Sequence, residues 1–284
     1  MQNKINLGLS IQLLNDDYIN FPFDNKLSNI NSLQIMFTKT KVLKEQILNI
    51  KNFIKKNKFK YVYIHASYQI NIGANPIIIK DKLYNPGLEI LLTEIINAIN
   101  IGANGIIVHM GKNVKNQFDE DIIYNNMVNF VIQLFNEIKQ NKLFSKSKNF
   151  MILFETPAGQ RGEMCYDINK LIEFIKIFEK SEFYDNIGLC IDTCHIFQAG
   201  YNLNDKKQIK KIHLIFDKIK DKIKVIHLND SYHPVASHLD RHEQIGNGYI
   251  KVDNLIKFIL PYKNLPLILE TKPPYDKQIK KLIK

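Results

Sequence analysis

A closed (β/α)8 barrel of the TIM type, an α/β fold in a single domain spanning residues 1–284, is what this sequence predicts, on three observations. Eight short runs of apolar and β-branched residues recur along the chain, longer stretches with helical spacing separate most of them, and no composition break or Pro/Ser-rich linker divides it. Continuous apolar strands alternating with helices imply a parallel sheet covered on its outer face. Eight such units in 284 residues suit closure better than an open sheet.

In order, the runs are INLGLSI (5–11), SLQIMF (32–37), YVYIHA (61–66), GIIVHM (105–110), FMILFE (150–155), IGLCID (187–192), IKVIHL (223–228) and LPLILE (265–270). The first two carry no charged residue. Between the third and fourth, GLEILLTEIINAINIGA repeats its apolar residues at helical intervals, and DINKLIEFIKIFEK does the same between the fifth and sixth. The last ten residues, YDKQIKKLIK, read as an end that frays.

A hydrophobic content of 45% is ample for a core. No apolar stretch approaches the roughly 20 residues of a membrane span, and Met1-Gln2-Asn3-Lys4 lacks the pattern of a secretory signal. Three cysteines, Cys165, Cys190 and Cys194, are too few for a disulfide framework and fit a reducing, intracellular compartment. The net charge of +11 suits a polyanionic partner. It equally suits a Lys-, Ile- and Asn-rich composition whose lysines sit on solvated helix faces such as KNFIKKNKFK. Charge therefore decides nothing until the chemistry of a site points the same way.

That chemistry lies at the strand ends. Six of the eight runs end at or next to a residue able to bind a metal: His65, His109, Glu155, Asp192, His227 and Glu270. In a barrel the C-terminal strand ends open onto one face, where active sites lie. Any one of these residues alone reads as a core polar group satisfied locally. Six at equivalent positions do not, because burying so many titratable groups uncompensated would cost several kcal/mol each. A shared cation removes that cost. His195, just beyond Asp192, and the pair Asp240 and His242 in HLDRHEQIGNG extend the set to five histidines and four carboxylates. One zinc needs three or four ligands. Nine of mixed nitrogen and oxygen type suit two or three zinc ions, or manganese at some positions. Cys190-x-x-x-Cys194-His195 is one residue too long for haem attachment, and its thiols read as buried apolar groups.

With those positions placed, HASYQINIG, VHMGK, FETPAGQ, CIDTCHIFQAGY, HLND, DRHEQIGNG and LILET together resemble, in order, the signatures of the endonuclease IV family, from about residue 60 to residue 275. The family comprises apurinic/apyrimidinic (AP) endonucleases of DNA base-excision repair, so the resemblance implies a phosphoric diester hydrolase on a TIM barrel with three zinc ions. By position, His65 and His109 would hold the first zinc, sharing Glu155 with the second; Asp192, His227 and Glu270 would complete the second; His195, Asp240 and His242 would hold the third. Glu155 and Glu270 are the expected catalytic carboxylates. The implied substrate is double-stranded DNA with abasic or 3′-blocked sites, cut on the 5′ side of the lesion, and the chain is expected to act as a monomer; 3′-phosphodiesterase and 3′→5′ exonuclease activities stay open. Tyr68 matches the aromatic that enters the duplex. Gln69 stands where an apolar residue is common, and Lys39 and Lys41 stand where relatives supply an arginine. Arg241, between two expected ligands, is a further candidate DNA contact.

Two rivals remain at this point. A sugar isomerase or epimerase on the same barrel would need one divalent metal held by Glu155, Asp192, His227 and Glu270, and would leave His65, His109, His195, Asp240 and His242 unexplained. A non-catalytic DNA-binding relative would show gaps among the ligands, and the sequence shows none.

Overall fold

The computed structural model of the chain describes residues 6–13, 30–37, 42–79 and 82–282. In chain order the strands are β1 (Leu7–Leu13), β2 (Ile30–Phe37), β3 (Tyr61–His65), the short pair β4 (Ile77–Ile79) and β5 (Lys82–Tyr84), β6 (Gly105–Val108), β7 (Met151–Glu155), β8 (Ile187–Asp192), β9 (Ile223–His227), the two-residue β10 (Asp230–Ser231) and β11 (His242–Glu243), and β12 (Leu267–Leu269). Eight of them close into a parallel barrel in the order β1-β12-β9-β8-β7-β6-β3-β2. These eight are the runs read from the sequence, with ends displaced by two residues at most.

The helices are α1 (Lys44–Lys56), α2 (Pro86–Ile101), α3 (Glu120–Gln140), α4 (Leu143–Lys146), α5 (Ile168–Lys176), α6 (Thr193–Gln198), α7 (Lys206–Phe216), α8 (Val252–Ile259) and α9 (Tyr275–Leu282). Local chemistry sets several of their ends. Asn85 accepts from the Gly87 amide ahead of Pro86 to start α2, and Gly102, at φ +84°, ends it in the left-handed conformation. Asp167 and Asp205 cap α5 and α7 in the same manner as Asn85. None of the described helices is long and apolar enough to cross a membrane.

Apolar side chains pack in two layers. Leu33, Ile35, Ile64, Ile106, Ile152 and Phe154 point outward from the strands into the packing with the helices. Tyr63, Ile107, Leu153, Cys190, Val225 and Ile268 form a separate buried cluster filling the barrel interior. Side chains alternate along a strand, so the residue two further on faces the same axis one layer higher. Those six residues are His65, His109, Glu155, Asp192, His227 and Glu270.

Two features depart from the sequence reading. Residues 275–282 of the C-terminal segment do not fray: α9 buries Ile279 and Leu282, and the Gln278 side chain, 1% exposed, accepts from the Ile245 amide while donating to the Lys272 carbonyl. Its polar residues look solvated in sequence because their partners come from the distant 245–247 loop. The second feature is the antiparallel ribbon of β10 and β11, pairing Asp230 with Glu243 and Ser231 with His242. It folds the loop after β9 back over the barrel mouth.

Candidate metal centre

Among the described residues, all nine expected donors converge at the C-terminal mouth, in overlapping groups whose ligand atoms lie within 4.8 Å of one another. Glu155 is central and 1% exposed. Its Oε2 lies 3.4 Å from His65 Nε2 and 3.3 Å from His109 Nε2, while its Oε1 lies 2.6 Å from His227 Nδ1. One carboxylate thus faces two clusters of imidazole nitrogen. The second cluster continues through Glu270 Oε2, 3.1 Å from His227 Nδ1, and Asp192 Oδ2, 3.8 Å from it. A third lies nearer solvent: Asp240 Oδ1 is 3.0 Å from His195 Nε2 and 3.3 Å from His242 Nε2. Asp192 Oδ2 is also 3.5 Å from His242 Nε2, so Asp192 links the second and third groups as Glu155 links the first and second.

The surrounding backbone and side chains orient these donors. The Nδ1 of His65 bonds the Ala66 carbonyl at 2.9 Å and the Nδ1 of His195 bonds the Thr156 carbonyl at 2.9 Å, leaving each Nε2 lone pair aimed into the pocket. Asp192 caps α6 by accepting from the His195 amide with Oδ1, which frees Oδ2 for the pocket. Asn229 donates to Asp192 Oδ2 at 2.7 Å and to Glu270 Oε2 at 3.0 Å, and accepts from the Glu270 amide.

Electrostatics mark the pocket as highly charged. Burial alone would raise the Glu155 carboxyl, but the facing His227 and His109 reverse this and hold it well below the ordinary range. His195 and His227 behave oppositely. Burial lowers both, yet Asp192 and Asp240 around the first, and Cys190, Glu270 and Glu155 around the second, bring them well above the ordinary imidazole value. Burial is decisive for His109, pushed down to about 4, and for Asp192, which is raised. Among the described residues, two buried side-chain polar atoms have no hydrogen-bond partner, His109 Nε2 and Glu155 Oε2, and they face each other at 3.3 Å. An unpartnered buried carboxylate oxygen beside an unpartnered imidazole nitrogen is costly unless a cation lies between them. The donor set therefore fits a borderline ion such as zinc.

The matches to known proteins agree with this geometry. Residues 18–284 match the family described as xylose isomerase-like TIM barrel. A protein of Mesomycoplasma hyopneumoniae strain J named probable endonuclease 4 is 35% identical over 245 residues, covering 82% of this chain and 79% of its own. This chain belongs to the endonuclease IV family. Endonuclease IV from Thermus thermophilus superposes with a TM-score of 0.70 at 17% identity, over 98% of this chain and 96% of that one. A D-tagatose 3-epimerase-like protein superposes at 0.68 with 15% identity, over 98% and 94%. At such identities the structural likeness speaks for the barrel alone, and endonuclease IV membership rests on the sequence match.

The expected DNA contacts divide. Tyr68 stands at the mouth, 65% exposed, with its ring 5.3 Å from that of His65 and 5.2 Å from that of His109. Gln69 is exposed beside it. Arg241 is exposed and turns Nη1 onto the Asp240 carbonyl at 2.5 Å, bracing the loop between two donors. Lys39 and Lys41 lie outside the described residues. All three cysteines are buried and free. Cys190 lies close to Glu155 and His227, but burial pushes its thiol up to about 12, so it stays protonated.

Sequence reasoning missed Gln34, Asn229 and Asp230. Gln34, fully buried on β2, bonds both His227 and Glu270. Its signal was a lone amide inside the apolar run SLQIMF.

Proposed function

We propose that this chain is a zinc-dependent endonuclease that hydrolyses the phosphodiester 5′ to an abasic site in duplex DNA, leaving a 3′-hydroxyl and a 5′-deoxyribose phosphate. The observation that carries this reading is Glu155, which offers one oxygen to each of two histidine clusters while Asp192 links the second cluster to the third. In it, His65, His109 and Glu155 hold one ion; Glu155, Asp192, His227 and Glu270 a second; His195, Asp240 and His242 a third. Zinc at such a cluster supplies a water-derived nucleophile at neutral pH and positive charge for a phosphoryl group.

The chain's own residues do the rest. Glu155, buried, and Glu270, half-buried at the mouth, orient the attacking water and draw off its proton. A P–O bond then forms to that water and the bond from phosphorus to the 3′-oxygen breaks, and the proton drawn from the water passes to the departing oxygen, which leaves as a hydroxyl. Tyr68, whose ring projects beside His65 and His109, lies where the abasic strand would cross the pocket. The +11 charge suits this polyanionic substrate.

The single-metal isomerase reading keeps one specific support, because Glu155, Asp192, His227 and Glu270 do form a four-donor group of their own. It leaves the other five donors around the same pocket without a task. Metal analysis combined with incision of an end-labelled abasic duplex separates the two. The expected result is about three zinc ions per chain and a cut on the 5′ side, lost after chelation and in Glu155→Gln. One metal per chain with turnover of a ketose and no incision would overturn the proposal.

A further inference from the structure

Gln34 belongs to neither terminal layer of donors. It pairs in register with Tyr63, one layer below His65, and its side chain is fully buried. Its carboxamide is nonetheless fully engaged upward. Nε2 lies 2.6 Å from Glu270 Oε1 and 3.0 Å from Ser10 Oγ, and Oε1 lies 2.7 Å from His227 Nε2.

The direction of that amide is forced. Glu270 receives donors on both oxygens, Gln34 Nε2 on Oε1 and Asn229 Nδ2 on Oε2, as an ionised carboxylate requires. Turning the Gln34 amide over would place its oxygen 2.6 Å from Glu270 Oε1, acceptor against acceptor. With Oε1 thus committed to His227, the imidazole meets it with a protonated Nε2, so Nδ1, 2.6 Å from Glu155 Oε1 and 3.1 Å from Glu270 Oε2, is the nitrogen left to offer its lone pair to an ion held between them. His65 and His195 are set the other way, with Nδ1 on backbone carbonyls and Nε2 toward the pocket.

We propose that Gln34 is the positioning residue of the second metal site: it makes His227 the histidine that ligates through Nδ1, and it ties that choice to the placement of Glu270. The inference rests on the metal centre proposed above and deepens it. Backbone carbonyls fix the rings of His65 and His195, whereas this one depends on a side chain that can be exchanged.

The test uses the full chain loaded with zinc and labelled with 15N-histidine. Long-range proton–nitrogen correlation should show His227 protonated at Nε2 with a metal-shifted Nδ1, and His65 and His195 with the reverse pattern. Gln34→Leu, close in volume, should lose the His227 Nε2–H signature and hold one of the three zinc ions roughly 10-fold or more weakly against a competing chelator. His65 and His195 should keep their pattern. Gln34→Glu keeps an acceptor for His227 and sets a carboxyl against Glu270 in place of the amide N–H. It should recover the His227 signature while zinc retention stays impaired, a split that a mere packing role would not produce; it also serves if Gln34→Leu fails to fold. Unchanged His227 resonances and zinc retention in Gln34→Leu, or a wild-type His227 ligated through Nε2, would overturn this inference and leave the metal centre standing. A wild-type chain that takes up no zinc would overturn both.

Discussion

Among single residues, Glu94 on α2 carries a consequence separate from the metal donors. It is 1% exposed, and its Oε2 accepts from the Ser67 amide at 3.1 Å. Burial pushes its carboxyl from 4.5 up to about 7, with the Ser67 bond only partly opposing. The folded chain therefore holds this proton more tightly than the unfolded chain. Its contribution to stability is greatest below pH 4.5 and is lost as pH rises through about 7. The gap corresponds to roughly 3 kcal/mol. Glu94→Gln, which can still accept from Ser67, should be more stable than the wild type at pH 8, and the two should converge at pH 4 and below. Thermal denaturation of the metal-free proteins across that range reads the difference; equal curves at pH 8 would refute it. Gln34 and Asn229 show the limit of reading single residues. A buried amide inside an apolar run looks like any satisfied core polar group until its partners, far away in sequence, are in view.

At the scale of elements, the six strand-end donors follow from alternation, because each sits two residues beyond a side chain of the barrel interior. The third cluster depends on a ribbon and a loop. Asp230 accepts from the amides of Ser231, Gly246, Gly248 and Ile250 and so gathers the 246–250 segment behind β11. Gly248 is required there, since a Cβ would press on the Ser231 carbonyl and stand 2.6 Å from Asp230 Oδ1. The buried Gln198 of α6 completes the frame by bonding Ser231 and Ser237 across the same loop. Asp230→Ala should strand the buried amides of Ser231 and Ile250 and free those of Gly246 and Gly248, cost about 3 kcal/mol or more by denaturant titration, and lower bound zinc to about two ions per chain. Deleting residues 275–284 should act on the same loop, because Lys281 Nζ holds the Ile245 carbonyl at 2.7 Å and Gln278 holds the Ile245 amide. A measurable loss of stability in urea is expected; an unchanged midpoint would show that α9 is dispensable.

For the whole molecule, charge and closure act together. The whole chain carries a net charge of +11, and Tyr68 and Arg241 are exposed beside the metal donors, which suits the polyanionic substrate proposed above. Affinity for an abasic duplex should fall linearly on a log–log plot against salt, by about 10-fold or more between roughly 50 and 200 mM. Fluorescence anisotropy with catalysis blocked by Glu155→Gln measures it, and a flat response would argue against a nucleic-acid substrate. Barrel closure supplies the convergence. β1 and β12 pair at the seam, Leu7 with Leu267 through Leu9 with Leu269, and so bring Glu270 from the last strand within reach of Gln34 on the second.

From the chain of residues alone came the eight strands, their closure into a barrel, and the six donors at their ends, since period-two burial and strand-end position are local properties written in order along the sequence. The loops after the sixth and seventh runs added His195, Asp240 and His242, and family resemblance sorted the nine donors into three expected sites. Only the tertiary structure decided how these groups meet: Glu155 turning one oxygen to each histidine cluster, the β10–β11 ribbon carrying His242 over the mouth, α9 docked where a fraying end was expected, and Gln34 orienting His227 across the barrel. Those outcomes depend on contacts between residues tens to hundreds of positions apart, whose geometry exists only once the strands have closed.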